Sequence, residues 1–151
     1  MTEHDDFARL AHYRCRYFDL RELVDPGTFK ALGERCWQLL DPRLLRTLDA
    51  LRDLWGPTVI NTWHTGGAFR FRGYRPPSEP AGARFSQHRC GRGADMHFLE
   101  ADVPRVRAHI LAHPDLPAYR GITCVELDVT WLHIDCRNHD KAGLGILQVR
   151  P

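Results

Sequence analysis

Residues 86–95, SQHRCGRGAD, place an imidazole at His88 and a carboxylate at Asp95, seven residues apart across a glycine-rich turn. Residues 131–135, WLHID, bring a third donor, His133, on a stretch that reads as a strand. Two imidazoles and one carboxylate make a three-ligand set for zinc and leave a fourth position for water. Such an open site activates water rather than only stapling a fold. Gly91 and Gly93 let the backbone turn tightly enough for both side chains to converge, and Ala94 keeps the approach narrow. The competing reading is a glycine-rich surface loop with incidental polar residues.

The elements around these segments follow from periodicity and caps. Asp41 is a good N-cap and Pro42 suits a first helical position. Leu44, Leu48, Leu51 and Trp55, joined by Leu45 and Leu54, line one face, which predicts a helix over Pro42–Trp55 stopped by Gly56-Pro57. Residues 58–63 read as a strand, and residues 94–98 as another with Asp95 near its start. A further helix runs from Val103 to about His113, its apolar side made by Val106, Ile110 and Leu111. Residues 121–127 and 131–137 read as antiparallel strands around a two-residue turn, Asp128-Val129, with a last edge strand within residues 144–149. Along the second of these, Trp131, His133 and Asp135 share one face and Leu132, Ile134 and Cys136 the other. Asp135 is placed to orient an imidazole. Asp25-Pro26-Gly27 reads as a turn before a short helix over residues 28–37, and residues 1–16 as a loosely held arm. Residues 61–85 read as a long polar loop carrying Arg70, Arg72, Arg75 and Arg84; loops of that length are usually functional or disordered, and a substrate-side loop is the expectation here. The expected fold class is α+β in a single domain, a small antiparallel sheet carrying the metal ligands and packed against helices.

The motifs resemble those of the M15 zinc peptidases. SQHRCGRGAD is similar to that family's S-x-H-x-x-G-x-A-x-D signature, with Ser86, His88, Gly91 and Asp95 in register and Gly93 where alanine is usual. WLHID is similar to the strand that carries the family's last His ligand. GYRPP, residues 73–77, resembles the S-G-Y-R segment whose arginine holds the substrate carboxylate, although the gap from Arg75 to His88 is shorter here. The resemblance covers residues 44–137. The family includes D-Ala-D-Ala carboxypeptidases, D,D-dipeptidases and phage or bacterial L-Ala-D-Glu endopeptidases that act on peptidoglycan. It therefore implies a Hedgehog/D-Ala-D-Ala peptidase-like fold, Zn2+ on His88, Asp95 and His133, and hydrolysis of a peptide bond in peptidoglycan stem peptides.

Much of that family carries Glu three residues before the last His, where this chain has Thr130, which cannot accept a proton from water. Glu126 and Asp128 are the nearby carboxylates. Around a two-residue turn Leu127 pairs with Thr130 and Glu126 with Trp131, which puts Glu126 on the face of His133 as the expected general base. Asp128 falls in the turn, where Asp is common for conformational reasons. Arg75 is the expected carboxylate anchor, since a guanidinium reads a carboxylate with two parallel bonds. Arg70, Arg72 and Arg92 compete for that role. Ser86 either bonds near the metal or substrate or serves the turn. His97, two residues past Asp95, is a candidate to flank the metal, His64 is a spare imidazole, and Cys90 is not expected to bind.

At 151 residues, 43% hydrophobic and 26% charged, the chain has the size and composition of one globular domain. A net charge of +2 gives no case for nucleic acid, though a slight cationic bias suits an anionic wall polymer. Five cysteines without a C-x-x-C pair argue against a disulfide framework or thiolate cluster and for reduced thiols. With no signal-peptide pattern and no run of ~20 apolar residues, the chain is expected to be cytoplasmic as synthesised, monomeric and not membrane-inserted. A lysis-type route would then bring it to the wall. Two other readings stand beside the peptidase: a non-catalytic zinc-binding wall or virion-associated module of the same fold, and a metal-free interaction domain.

Overall fold

The computed structural model describes residues 12–151. Its helices are α1 (Leu20–Leu23), α2 (Pro26–Leu32), α3 (Pro42–Trp55), α4 (Val103–Ala112) and α5 (Lys141–Leu144). Its strands are β1 (Thr58–Val59), β2 (Gly93–Phe98), β3 (Cys124–Glu126), β4 (Leu132–Asp135) and β5 (Leu147–Val149). They form one open sheet in the order β1-β2-β4-β3-β5, antiparallel except for the parallel β3–β5 pair. The fold is α+β, with the two longest strands, β2 and β4, paired and carrying Asp95 and His133.

Helix α3 forms where its pattern predicts. The Asp41 side chain accepts from Arg43 N at 2.9 Å, Pro42 opens the first turn, and Gly56 ends the helix with φ of 80°. Leu44, Leu45, Leu48 and Leu51 are buried in the core, whereas Leu54 is exposed and lies off the face assigned to it. Burying a leucine contributes ~1.5–3 kcal/mol, against ~1 kcal/mol for a cap, so packing holds this helix and the cap sets where it starts. Asp49, also buried, accepts from Tyr13 Oη at 2.6 Å and from Arg16 N at 2.8 Å. Of the expected N-terminal arm, residues 1–11 lie outside the described residues, and residues 12–16 are tied to α3 by these bonds.

Several local expectations are corrected. Asp25-Pro26-Gly27 is a helix start rather than a turn: the Asp25 carboxylate accepts from Thr28 N at 3.0 Å and Pro26 takes the first turn of α2. The helix expected over residues 28–37 accordingly divides into α2 and a 3₁₀ segment, Gly33–Leu39, that starts at the C-cap of α2, Gly33. The strand expected over residues 58–63 ends at Val59, because the buried Asn61 turns its side chain to other segments. Its Nδ2 donates to Val24 O at 3.1 Å and its Oδ1 accepts from Arg72 N at 3.0 Å. The hairpin is wider than a two-residue turn. β3 stops at Glu126 and β4 starts at Leu132, with Asp128 at φ 61° between them. Arg107 of α4 holds that connection open by donating to the carbonyls of Val129 at 3.0 Å and Trp131 at 2.6 Å.

The polar loop after β1 is fastened at several points. Tyr74 N donates to Leu23 O at 2.7 Å, Asp95 N to Arg72 O at 2.8 Å and Arg75 N to His88 O at 3.1 Å. Among the described residues no helix is long and apolar enough to cross a membrane.

Candidate metal centre

β2 and β4 pair so that Asp95 stands opposite His133 and Gly93 opposite Asp135. Directly opposed residues share a sheet face within side-chain reach, and Asp95 Oδ1 lies 2.7 Å from His133 Nδ1. His88 arrives from a 3₁₀ turn, Gln87–Cys90, whose N-cap is Ser86, its Oγ accepting from His88 N at 3.3 Å. Gly91 closes the turn at φ 67°, and a Cβ there would sit 1.7 Å from the Leu39 carbonyl oxygen. Both the left-handed conformation and the close approach require glycine. Gly91 O also accepts from Asp41 N at 2.9 Å, which fastens the turn to the start of α3. His88 Nε2 then lies 3.3 Å from Asp95 Oδ2.

The outward nitrogens are tied back. His88 Nδ1 donates to Gly73 O at 2.8 Å and His133 Nε2 to Asp135 Oδ2 at 2.8 Å. A hydrogen bond at one ring nitrogen decides what the other offers, so an ion between the two rings would meet Nε2 of His88 and, once its proton is displaced, Nδ1 of His133. One ligand atom from each of His88, Asp95 and His133 lies within 4.8 Å of the other two. Donors bound tetrahedrally at ~2.0–2.2 Å stand about 3.3–3.6 Å apart. His88 Nε2 stands at that distance from Asp95 Oδ2, whereas His133 Nδ1 bonds the other oxygen, Oδ1, at 2.7 Å, so one carboxylate oxygen has to turn toward both imidazoles for the three to share an ion. The three residues, two buried imidazoles and a half-buried carboxylate, could hold a metal ion by their donor chemistry.

Without an ion the same cluster is held by charge. Burial opposes a charged His133, but its bonds to Asp135 and Asp95 overcome that and raise its pKa to about 9. Burial also disfavours the Asp95 carboxylate, and the two imidazoles reverse this, holding it well below the usual carboxylate range. Asp135, likewise desolvated, is brought down to about 2 by Arg137 and His133.

The triad opens on a cavity of about 520 Å³ whose wall also includes Arg75, Ser86, Glu126, Trp131 and Arg137. All six residues expected at the site therefore line one space. The β3–β4 register, Cys124 with Asp135 and Val125 with Ile134, carries Glu126 opposite His133 rather than opposite Trp131. The difference is two residues, and a slip of two leaves the side chain on the same face. Asp95 and Glu126 are the Asp and Glu side chains on the cavity wall. Asp128 lies outside it, exposed, and accepts from Arg150 Nε at 2.6 Å. Arg75 Nη2 donates to Phe71 O at 3.4 Å. Ser86 serves the turn through its cap and also faces the cavity.

His97 does not join the cluster: its Nδ1 accepts from Arg72 Nη1 at 3.1 Å, and Arg72 lies 3.5 Å over the Phe69 ring. Arg70 and Cys90 are exposed, and Cys90 is not among the clustered donors. His64 packs its ring edge-on to Trp63. The sequence reading missed Arg137, whose Nε and Nη2 reach Asp135 at 2.8 and 2.6 Å. The signal was present, since the period of two through Trp131, His133 and Asp135 continues to Arg137. It also missed Gly73 O as the partner of His88, a backbone contact that no side-chain pattern encodes.

Comparison of the chain with protein-family models, with curated proteins and with solved structures gave no match in any of the three.

Proposed function

We propose that this chain is a zinc metallopeptidase that hydrolyses a peptide bond in peptidoglycan stem peptides. The observation that carries the proposal is the convergence of His88, Asp95 and His133, with the outward nitrogens of the two imidazoles already bonded, on one wall of a cavity. Two imidazoles and a carboxylate suit zinc, and three protein ligands with a free position are the pattern of catalytic rather than structural sites. The resemblance of residues 86–95, 131–135 and 73–77 to the M15 peptidases supplies the substrate class.

His88, Asp95 and His133 would hold a Zn2+ ion, which would supply the polarisation that makes water a nucleophile near neutral pH. Glu126 accepts the proton of the attacking water and returns it to the leaving amine. Its place on the cavity wall with the triad supports that role. Arg75 grips a carboxylate of the peptide and sets the scissile bond over the triad. The chain acts as a monomer on peptidoglycan peptides, takes no nucleic acid, and reaches the wall from the cytoplasm through a lysis-type route.

Thr130, standing where the resembled family carries its Glu, favours one second reading, a zinc-binding wall module without activity. The discriminating experiment incubates the zinc-loaded chain with purified stem peptides and muropeptides and reads the products by mass spectrometry. A new amine and a new carboxylate from one cleaved bond support the peptidase. Intact peptides after exposure to a chain carrying one zinc leave the wall module.

A further inference from the structure

We infer that Arg137 is a positioning residue of the metal centre, holding Asp135 so that Asp135 holds His133. The inference rests on the metal-centre reading above. Arg137 Nε donates to Asp135 Oδ1 at 2.8 Å, Arg137 Nη2 to Oδ2 at 2.6 Å, and Arg137 N to Oδ1 at 3.2 Å. The same Oδ2 accepts from His133 Nε2 at 2.8 Å, and the Asp135 side chain is 0% exposed. Thr123 pins the backbone on both sides of this grip, with N to Asp135 O at 3.0 Å and Oγ1 to Arg137 O at 2.7 Å. The chain of contacts therefore runs from Asp95 through His133 and Asp135 to Arg137 without a gap.

Physical chemistry gives the grip a purpose. A neutral His133, the form that ligates, makes an ordinary hydrogen bond to Asp135 and leaves the buried carboxylate's charge to Arg137. A buried carboxylate stripped of its cation is strongly unfavourable, and it would relax by shifting toward solvent and taking the imidazole with it. The fork of Arg137 fixes both oxygens at once, which a point charge cannot do. Two effects of removing Arg137 then oppose each other. Loss of a nearby positive charge favours a divalent ion, whereas loss of His133 orientation disfavours it. Partners behind a metal ligand commonly contribute ~10–100-fold in affinity, so orientation decides the sign.

The test measures Zn2+ affinity by competition with a chromophoric chelator, and the visible spectrum with Co2+, for the parent, Arg137→Gln and Arg137→Lys, with circular dichroism confirming the fold. The expected result is ~10–100-fold weaker binding in both variants, with a changed cobalt spectrum even where Lys restores the charge. Affinity within about twofold of the parent, or tighter binding in Arg137→Gln as charge alone would give, overturns the inference. Nitrogen NMR of the zinc-loaded parent provides a reading that needs no variant. It should find the His133 proton on Nε2 and Arg137 Nε–H protected from exchange, and a proton on Nδ1 instead would sink the idea. A parent that binds neither metal removes the metal centre itself, and a parent that binds beside variants that bind equally well removes this inference alone.

Discussion

Asp95 and His133, 38 residues apart in the chain, face each other across the β2–β4 ladder with Oδ1 and Nδ1 separated by 2.7 Å. Strand register, not loop conformation, makes that contact, so two of the three donors belong to one rigid unit. His88 is the donor carried by a turn, and Gly91 is what closes the turn. Sites held on strands keep their geometry better than sites on loops, which separates the consequences of changing each residue.

Replacing His88, Asp95 or His133 with Ala should each reduce zinc affinity by more than the ~10–100-fold that partners behind the ligands contribute. Metal analysis of the purified variants after dialysis checks this. A variant of any one of the three that retains the parent's stoichiometry and affinity contradicts the shared site.

Gly91→Ala tests the turn. A left-handed non-glycine residue costs ~1–3 kcal/mol, and here a Cβ would also meet the Leu39 carbonyl oxygen at 1.7 Å. The expected loss in urea unfolding is ~3 kcal/mol or more, with weakened zinc binding in whatever remains folded. Gly93→Ala should be milder, because its Cβ would stand 3.3 Å from His133 Cε1 and Gln87 Cβ. Equal stabilities for the two variants would refute the assignment.

Glu126→Gln should lower kcat by ~10²–10⁴-fold while leaving zinc content unchanged. Arg75→Lys should act mainly on KM, since the second of two parallel bonds to a carboxylate is lost. Steady-state kinetics on a cleaved stem peptide separate the two, and a Glu126→Gln enzyme at the parent's rate would move the base elsewhere.

The metal-free protein carries a pH signature. His133 is raised from 6.5 to about 9 in the fold, so its contribution to stability is full below pH 6.5 and is lost as pH rises through about 9. Asp95 and Asp135 are lowered from 3.8, so their contribution is present above that value and fades as acid reaches their depressed pKa values. Thermal unfolding of the chelator-treated parent, taken relative to His133→Gln, should show an advantage that is largest between pH 4 and 6.5 and shrinks toward pH 9. Zinc should act in the opposite direction, because it displaces the His133 proton and binds more tightly as pH rises. An advantage that grows from pH 6.5 to 9 in the metal-free protein would contradict the His133–Asp95–Asp135 arrangement.

What could be read in the sequence was whatever side-chain periodicity and caps encode. Helix α3 was legible because Asp41, Pro42 and a leucine face agree with one another, and β4 because Trp131, His133 and Asp135 alternate with Leu132, Ile134 and Cys136. The candidate triad His88, Asp95 and His133 was legible as donor types at a recognisable spacing. What escaped depended on long-range partners. Asn61 ends β1 by bonding Val24 O and Arg72 N, and Arg107 widens the hairpin by collecting two carbonyls from another element. Asp25-Pro26-Gly27 suits a turn and a helix start equally, and the Asp25 bond to Thr28 N decides between them. The hairpin register was displaced by two residues, yet Glu126 stayed on the His133 face because the strand repeat is also two.

Anomalous diffraction from crystals of the zinc-loaded chain, collected on both sides of the zinc edge, tests the shared ion most directly. One strong zinc peak is expected, bounded by His88 Nε2, an Asp95 oxygen and His133 Nδ1, with Asp135 still bonded to His133 Nε2. A zinc peak elsewhere in the molecule, with His133 Nδ1 still bonded to Asp95 alone, would contradict it.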